Sequence, residues 1–213
     1  MDSIIFDVDG TLWDAPAAIA ASWDRVVKKE GLSLTIDRAR LEPELGKLVP
    51  DIFASLFPGE SAARQEELLE LCTKSELQYL VENCPPLFPD LKDTIQLLSA
   101  KYKLFIVSNC QAGYIEAFLQ ATGLGRNFVD HLCPGDTGRP KAQNIRMIVD
   151  QYNLESPIYV GDTQGDADSC SAAGIPFVYA SYGLGTVMSP DYTIEKLSDL
   201  ISLMEEDRLS ILN

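Results

Sequence analysis

Two carboxylates, Asp7 and Asp9, stand two residues apart just after the run Ser3-Ile4-Ile5-Phe6, and Gly10 follows them. In extended chain alternate side chains share a face, so both carboxylates would point to one side. Held that close they repel each other. A divalent cation relieves the repulsion, and hard oxygen donors of this kind suit Mg²⁺. Gly10 lets the backbone leave the strand sharply. Asp-Gly also serves ordinary turn chemistry, so this stretch alone does not separate a metal site from a turn. Three later groups carry related chemistry: Ser108-Asn109, Arg139-Pro140-Lys141, and the loop Gly161-Asp162-Thr163-Gln164-Gly165-Asp166.

Positioning such groups is the work of the elements around them. Short β-branched and aromatic runs predict a strand from Ser3 that ends in the aspartates Asp7 and Asp9, and others at 103–107, 128–132, 157–160, 177–180 and 192–194. Between them, apolar residues at helical spacing predict helices at 89–102, 112–122, 167–173 and 195–204, and another from about 141. Strands alternating with helices imply an α/β fold with a parallel sheet. Its strand ends would carry Asp7 and Asp9, Ser108 and Asn109, and Gly161 and Asp162 to one edge, where open α/β sheets bind ligands. Asp14 reads as the N-cap of a helix with Pro16 in its first turn. From there to about Asn83 the chain is helical in character: a helix to Gly31, a short one from Ile36, then 49–57 and 60–81. About 70 helical residues thus separate the first strand from its partners. With no low-complexity stretch, an insertion explains them better than a linker. The expected division is a core of residues 1–14 and 86–213 with a helical insertion at 15–85.

Composition narrows the function classes. The chain has 213 residues, 46% hydrophobic and 23% charged, as expected of a soluble globular protein. Its net charge of −15 repels nucleic acid and anionic membranes, so neither is an expected partner. An anionic substrate would need a local cation. Five cysteines without a CxxC pair suggest reduced thiols and a cytoplasmic setting. The N-terminus lacks the basic region of a signal peptide, and no apolar run is long enough to span a membrane.

Taken in order, Asp7-Val8-Asp9-Gly10-Thr11-Leu12, Ser108-Asn109, the lysine at 141 and Gly161-Asp162-Thr163-Gln164-Gly165-Asp166 resemble the four motifs of the haloacid dehalogenase superfamily. The resemblance covers essentially the whole chain. It implies a Rossmann-like core and an α-helical cap between the first two motifs. It also implies a Mg²⁺-dependent phosphatase that works through an aspartyl-phosphate on a small phosphorylated metabolite, as a monomer or homodimer. Phosphoglycolate is the default substrate of the resembled branch. The alternative is a sugar phosphomutase of the β-phosphoglucomutase type, which shares all four motifs. A phosphonate-cleaving relative would need a buried cap lysine, and none stands out.

The resemblance makes Asp7 the nucleophile and Asp9 the general acid and base, with the backbone carbonyl of Asp9 a metal ligand. Ser108 and Asn109 would bind the phosphoryl oxygens, or serve as an N-cap pair. Lys141 would neutralise the phosphoryl group and Asp7. In the commonest pattern lysine directly precedes proline. Here Arg139 precedes Pro140 and Lys141 follows it, so either cation could serve. Asp162 and Asp166 would complete the metal site with Asp7 and Asp9, although Asp166 could instead cap the helix at Ala167. Residues 15–57 of the cap would face the site. His131, Cys110, Trp13 and Trp23 read as structural, Thr11 as a turn stabiliser, and Gln111 as either a pocket edge or a helix start.

Overall fold

The computed structural model describes residues 1–210, with side chains through residue 206. Strand β1 (Ser3–Phe6) is buried along its whole length, as a run apolar on both faces must be in a central strand. After it, helix α1 (Pro16–Lys29) starts on proline, whose missing N–H costs nothing there. Its N-cap is Ala15, not Asp14. The Asp14 carboxylate instead accepts a hydrogen bond from Arg38 Nη1 at 2.7 Å. Helix α2 (Arg38–Leu41) is capped by Asp37 and starts two residues later than its apolar pattern suggests. Helices α3 (Val49–Leu56) and α4 (Ala62–Glu82) follow, the latter capped by Ser61. α1 packs along α4, and the rings of Trp23 and Phe53 meet at 4.7 Å between centroids.

The chain returns beside its point of departure. Trp13 pairs antiparallel with Leu87, and Asp14 N–H donates to Pro86 O at 2.8 Å. The remaining elements alternate as expected: α5 (Leu91–Ser99), β2 (Lys103–Val107), α6 (Tyr114–Thr122), β3 (Asp130–Leu132), α7 (Pro134–Thr137), α8 (Lys141–Tyr152), β4 (Pro157–Gly161), α9 (Gln164–Ala173), β5 (Phe177–Ala180), β6 (Tyr192–Ile194) and α10 (Asp199–Ser210). The boundaries differ where caps decide them. α6 starts at Tyr114 rather than 112 because Gly113 sits at φ +85°, outside the helix. α9 starts three residues early, where Thr163 and Asp166 form a reciprocal capping box. α10 begins at Asp199, whose carboxylate binds the N–H groups of Glu195 and Lys196 ahead of it. The single turn α7 has too little periodicity to be read from sequence.

All six strands are parallel in the order β3-β2-β1-β4-β5-β6, an α/β sheet as expected. Phe6 is level with Ile106 on one side and Val160 on the other, so the ends of β2, β1 and β4 lie side by side. Alternation along β1 splits the core in two. Ile4 and Phe6 join the apolar cluster that includes α1, α5 and α6, and Ile5 joins Phe105, Ile145 and Ile148 on the opposite face. Among the described residues no helix is long and apolar enough to cross a membrane.

Candidate active site

Asp7 is the first residue beyond β1, and its N–H still donates to Val160 O at 2.9 Å. That bond to the neighbouring strand aims a carboxylate that is only 4% exposed. Lys141 opens α8 and sends its ammonium into the same buried space, 2.8 Å from Asp7 Oδ1 and 2.5 Å from Asp166 Oδ1. The lysine is held in place from behind. Asn144, fully buried one turn on, accepts from Thr137 and donates to Arg139 O, which ties down the turn leading into α8. Arg139 itself is exposed. Of the two candidate cations, the fold therefore brings Lys141 to Asp7.

Asp166 does two jobs at once. Its Oδ2 accepts from Thr163 N–H and Oγ1, and its Oδ1 accepts from Lys141. It sits in the first turn of α9 and not at the N-cap, which is Thr163. Asp162, fully buried, accepts from Leu184 N–H at 2.8 Å and from Thr11 Oγ1 at 3.3 Å. Tyr159 lies beneath, its hydroxyl donating to Val107 O at 2.7 Å.

Asp9 has partners of its own. β1 ends at Phe6, so the alternation that would align Asp9 with Asp7 does not reach it. Its carboxylate instead accepts from Trp13 Nε1 at 2.8 Å and Tyr114 OH at 2.6 Å. Asp7, Asp162 and Asp166 are the three that cluster, each offering one oxygen within 4.8 Å of the others.

The electrostatics follow from burial. Desolvation raises the pKa of Asp162 to about 8, and the charges of Asp166 and Asp7 push the same way. Burial also raises Asp7, and the neighbouring Lys141 opposes that shift. Asp9 is raised to about 7, by burial first and then by Asp7, against the Tyr114 and Trp13 hydrogen bonds. Burial alone would lower Lys141, but Asp166 and Asp7 outweigh it and the net shift is upward. Three buried carboxylates thus face one ammonium. That excess of negative charge on hard oxygen donors fits a divalent cation such as Mg²⁺. The cradle is also closely shaped, since a Cβ on Gly10, at φ +78°, would stand 2.1 Å from Asp162 Oδ2.

Ser108 and Asn109 lie at the end of β2, five or more residues before α6, so they are not its caps. Ser108 is buried and lies close enough to Asp7 to lower its pKa. Asn109 Nδ2 donates to Gly46 O at 2.9 Å, joining the sheet edge to the helical segment, and its Oδ1 is buried without a partner. Of residues 15–57, Ile19, Trp23, Leu45, Gly46, Lys47, Val49 and Ile52 line a cavity of about 20 Å³ together with Asp9 and Tyr114. Its wall also includes Glu76 from α4, outside that interval, and Gln111, which is thus a pocket edge. Trp23 is both core and wall. His131 sits on β3, 3.4 Å from Glu116, and Cys110 is a buried thiol whose pKa burial pushes up.

Sequence reasoning missed Tyr114, Tyr159, Glu76 and the segment around Gly183. Gly183 packs so closely that an added Cβ would meet Asp162 Cβ at 2.3 Å and Gly10 O at 2.5 Å. The pair Gly183 and Gly185 directly after β5 was the available signal, since glycine marks close backbone approach. The other three carry no local signal.

Several known proteins resemble this chain. The family described as haloacid dehalogenase-like hydrolase matches residues 4–180. The phosphoglycolate phosphatase of Aquifex aeolicus is 29% identical over 224 residues, covering 96% of this chain and 97% of its own. That of Colwellia psychrerythraea is 30% identical over 194 residues, covering 84% of each. Among solved structures, a haloacid dehalogenase-like family hydrolase from Streptococcus pneumoniae has the same fold. Its TM-score is 0.82 at 22% identity, with 96% of this chain and 98% of that one covered.

Proposed function

The chain belongs to the haloacid dehalogenase-like hydrolase family, and from that premise we propose that it is a Mg²⁺-dependent phosphatase acting on a small phosphorylated metabolite through an aspartyl-phosphate. One observation carries this reading: an ammonium buried between two carboxylates, Asp7 and Asp166, at the meeting point of three strand ends. A carboxylate so placed attacks phosphorus, and the phosphorus–oxygen bond to the leaving alcohol breaks. Asp9, with its pKa near 7, gives its proton to the departing oxygen. The same group then takes a proton from the water that attacks the aspartyl-phosphate, which releases phosphate and restores Asp7. Lys141 holds Asp7 in place and offsets charge on the transferred group. Ser108 and Asn109 hydrogen-bond the phosphoryl oxygens.

Mg²⁺ would be held by Asp7, Asp162, Asp166 and the backbone carbonyl of Asp9, and when bound it supplies positive charge beside the phosphoryl oxygens. Residues 15–85 act as a cap over the site. The isolated bridge between Trp13 and Leu87 supports this, since the segment leaves and returns at one place. A closed cap excludes water and strengthens Lys141. All five cysteines are free thiols, which supports a cytoplasmic setting.

Phosphate release from small phosphomonoesters, phosphoglycolate first because two relatives are named for it, tests the reading. Release that EDTA abolishes and Mg²⁺ restores is the expected result. No release from any compound by folded protein refutes it.

A further inference from the structure

We propose that Glu76 sets the leaving-group preference of this site, and that the substrate is the phosphomonoester of a small hydroxylated alcohol rather than of a hydroxy acid. The proposal rests on the phosphatase reading above and names the substrate class of that same site. Glu76 projects from α4, 2% exposed, and its Oε2 accepts from Trp23 Nε1 at 2.6 Å. It shares the cavity wall with Asp9. The proton donor must touch the departing oxygen, so the rest of the leaving group extends into the space that Asp9 borders. That space, about 20 Å³, holds little more than one water. A leaving group entering it is small, and the helices above must yield to admit it.

The wall is polar in both senses. Gln111 Nε2, a donor, and Asn109 Oδ1, an acceptor, are buried without hydrogen-bond partners. Burial pushes the Glu76 carboxyl up to about 8, against the Trp23 hydrogen bond and the side chain of Gln111. Near neutrality the Glu76 carboxyl therefore offers an O–H as well as a carbonyl oxygen. A substrate hydroxyl donates and accepts, and so satisfies all three groups. A carboxylate only accepts. It would leave Asn109 Oδ1 unpaired and set a charge beside Asp9 and Glu76 in a desolvated space. The cation lining the cavity, Lys47, is half exposed and engaged 2.7 Å away by Glu44.

The test is phosphate release with Mg²⁺ from glycerol 3-phosphate, phosphoglycolate and acetyl phosphate, by the wild-type protein, Glu76→Gln and Lys47→Met. Glutamine keeps an acceptor for Trp23 and cannot ionise, so a carboxylate entering the cavity meets no second carboxylate. Wild type should favour glycerol 3-phosphate over phosphoglycolate by about tenfold or more in kcat/KM. Glu76→Gln should shrink that ratio about tenfold, a change that loss of packing alone would not produce, and Lys47→Met should leave it within about twofold. A wild-type preference for phosphoglycolate that Lys47→Met abolishes would overturn the proposal and assign a carboxylate to Lys47. A ratio that Glu76→Gln does not move would reduce Glu76 to packing. Release from acetyl phosphate alongside either result leaves the phosphatase reading standing, whereas no release from any of the three compounds removes that reading and this proposal with it.

Discussion

Replacing Lys141 with Met isolates the one buried cation of the cluster. Lys141 is 4% exposed and pairs with Asp7 at 2.8 Å and Asp166 at 2.5 Å. Methionine keeps most of the apolar stem but leaves both carboxylates buried without their counter-ion, with Asp162 drawn into the same repulsion. Stripping one partner from a buried ion pair costs about 3–5 kcal/mol. In a chain of this length each kcal/mol moves Tm by about 2–4 °C, so melting in EDTA should fall by roughly 6–20 °C. Thermal unfolding followed by circular dichroism reads this directly. Mg²⁺ should raise the Tm of Lys141→Met more than that of wild type, because the cation supplies charge that the lysine no longer does. Arg139→Met, at an exposed position, should change Tm by no more than about 2 °C. A loss below about 3 °C for Lys141→Met, or an equal loss for Arg139→Met, would show that Lys141 is not the counter-ion of the cluster.

Other expectations follow from the same geometry. Asp7→Asn should leave less than about 0.1% of phosphate release while keeping Tm in EDTA within about 2 °C, since asparagine still accepts from Lys141; substantial turnover would refute the nucleophile. Glu76 rises from 4.5 to about 8 on folding, so its neutral form stabilises the fold fully below 4.5. That contribution is lost as pH rises towards 8, by at most about 1.4 kcal/mol per pH unit. Urea unfolding of Glu76→Gln should therefore weaken less than wild type between these limits, and parallel curves would contradict the burial argument. Gly183→Ala drives a Cβ into Asp162 and the Gly10 carbonyl, displacing the Leu184 N–H from Asp162. Its half-point for Mg²⁺ in a Tm titration should rise about tenfold or more, and an unchanged half-point would show that this segment does not shape the metal cradle.

The fold was largely legible from local pattern. The β-branched runs at Ile4-Ile5-Phe6 and Leu104-Phe105-Ile106-Val107 can be satisfied only as buried strands, and the helices between them make those strands parallel. The same logic placed Asp7, Ser108 and Asp162 at strand ends, and a parallel sheet brings such ends to one edge whatever the strand order. Chain-local signals stopped at direction and distance. The Asp9 carboxylate is held by the hydroxyl of Tyr114, 105 residues away, which nothing near Asp9 in the chain announces. Lys141 reaches Asp7 while Arg139 does not, because Asn144 and Thr137 fix the turn that opens α8. Glu76 and Gly183 join the site only through packing of α4 and of the chain beyond β5. Propensity and periodicity are set by near neighbours and so are written in the sequence. The choice of partner for a buried charge is made by groups distant along the chain, and tertiary packing decides it.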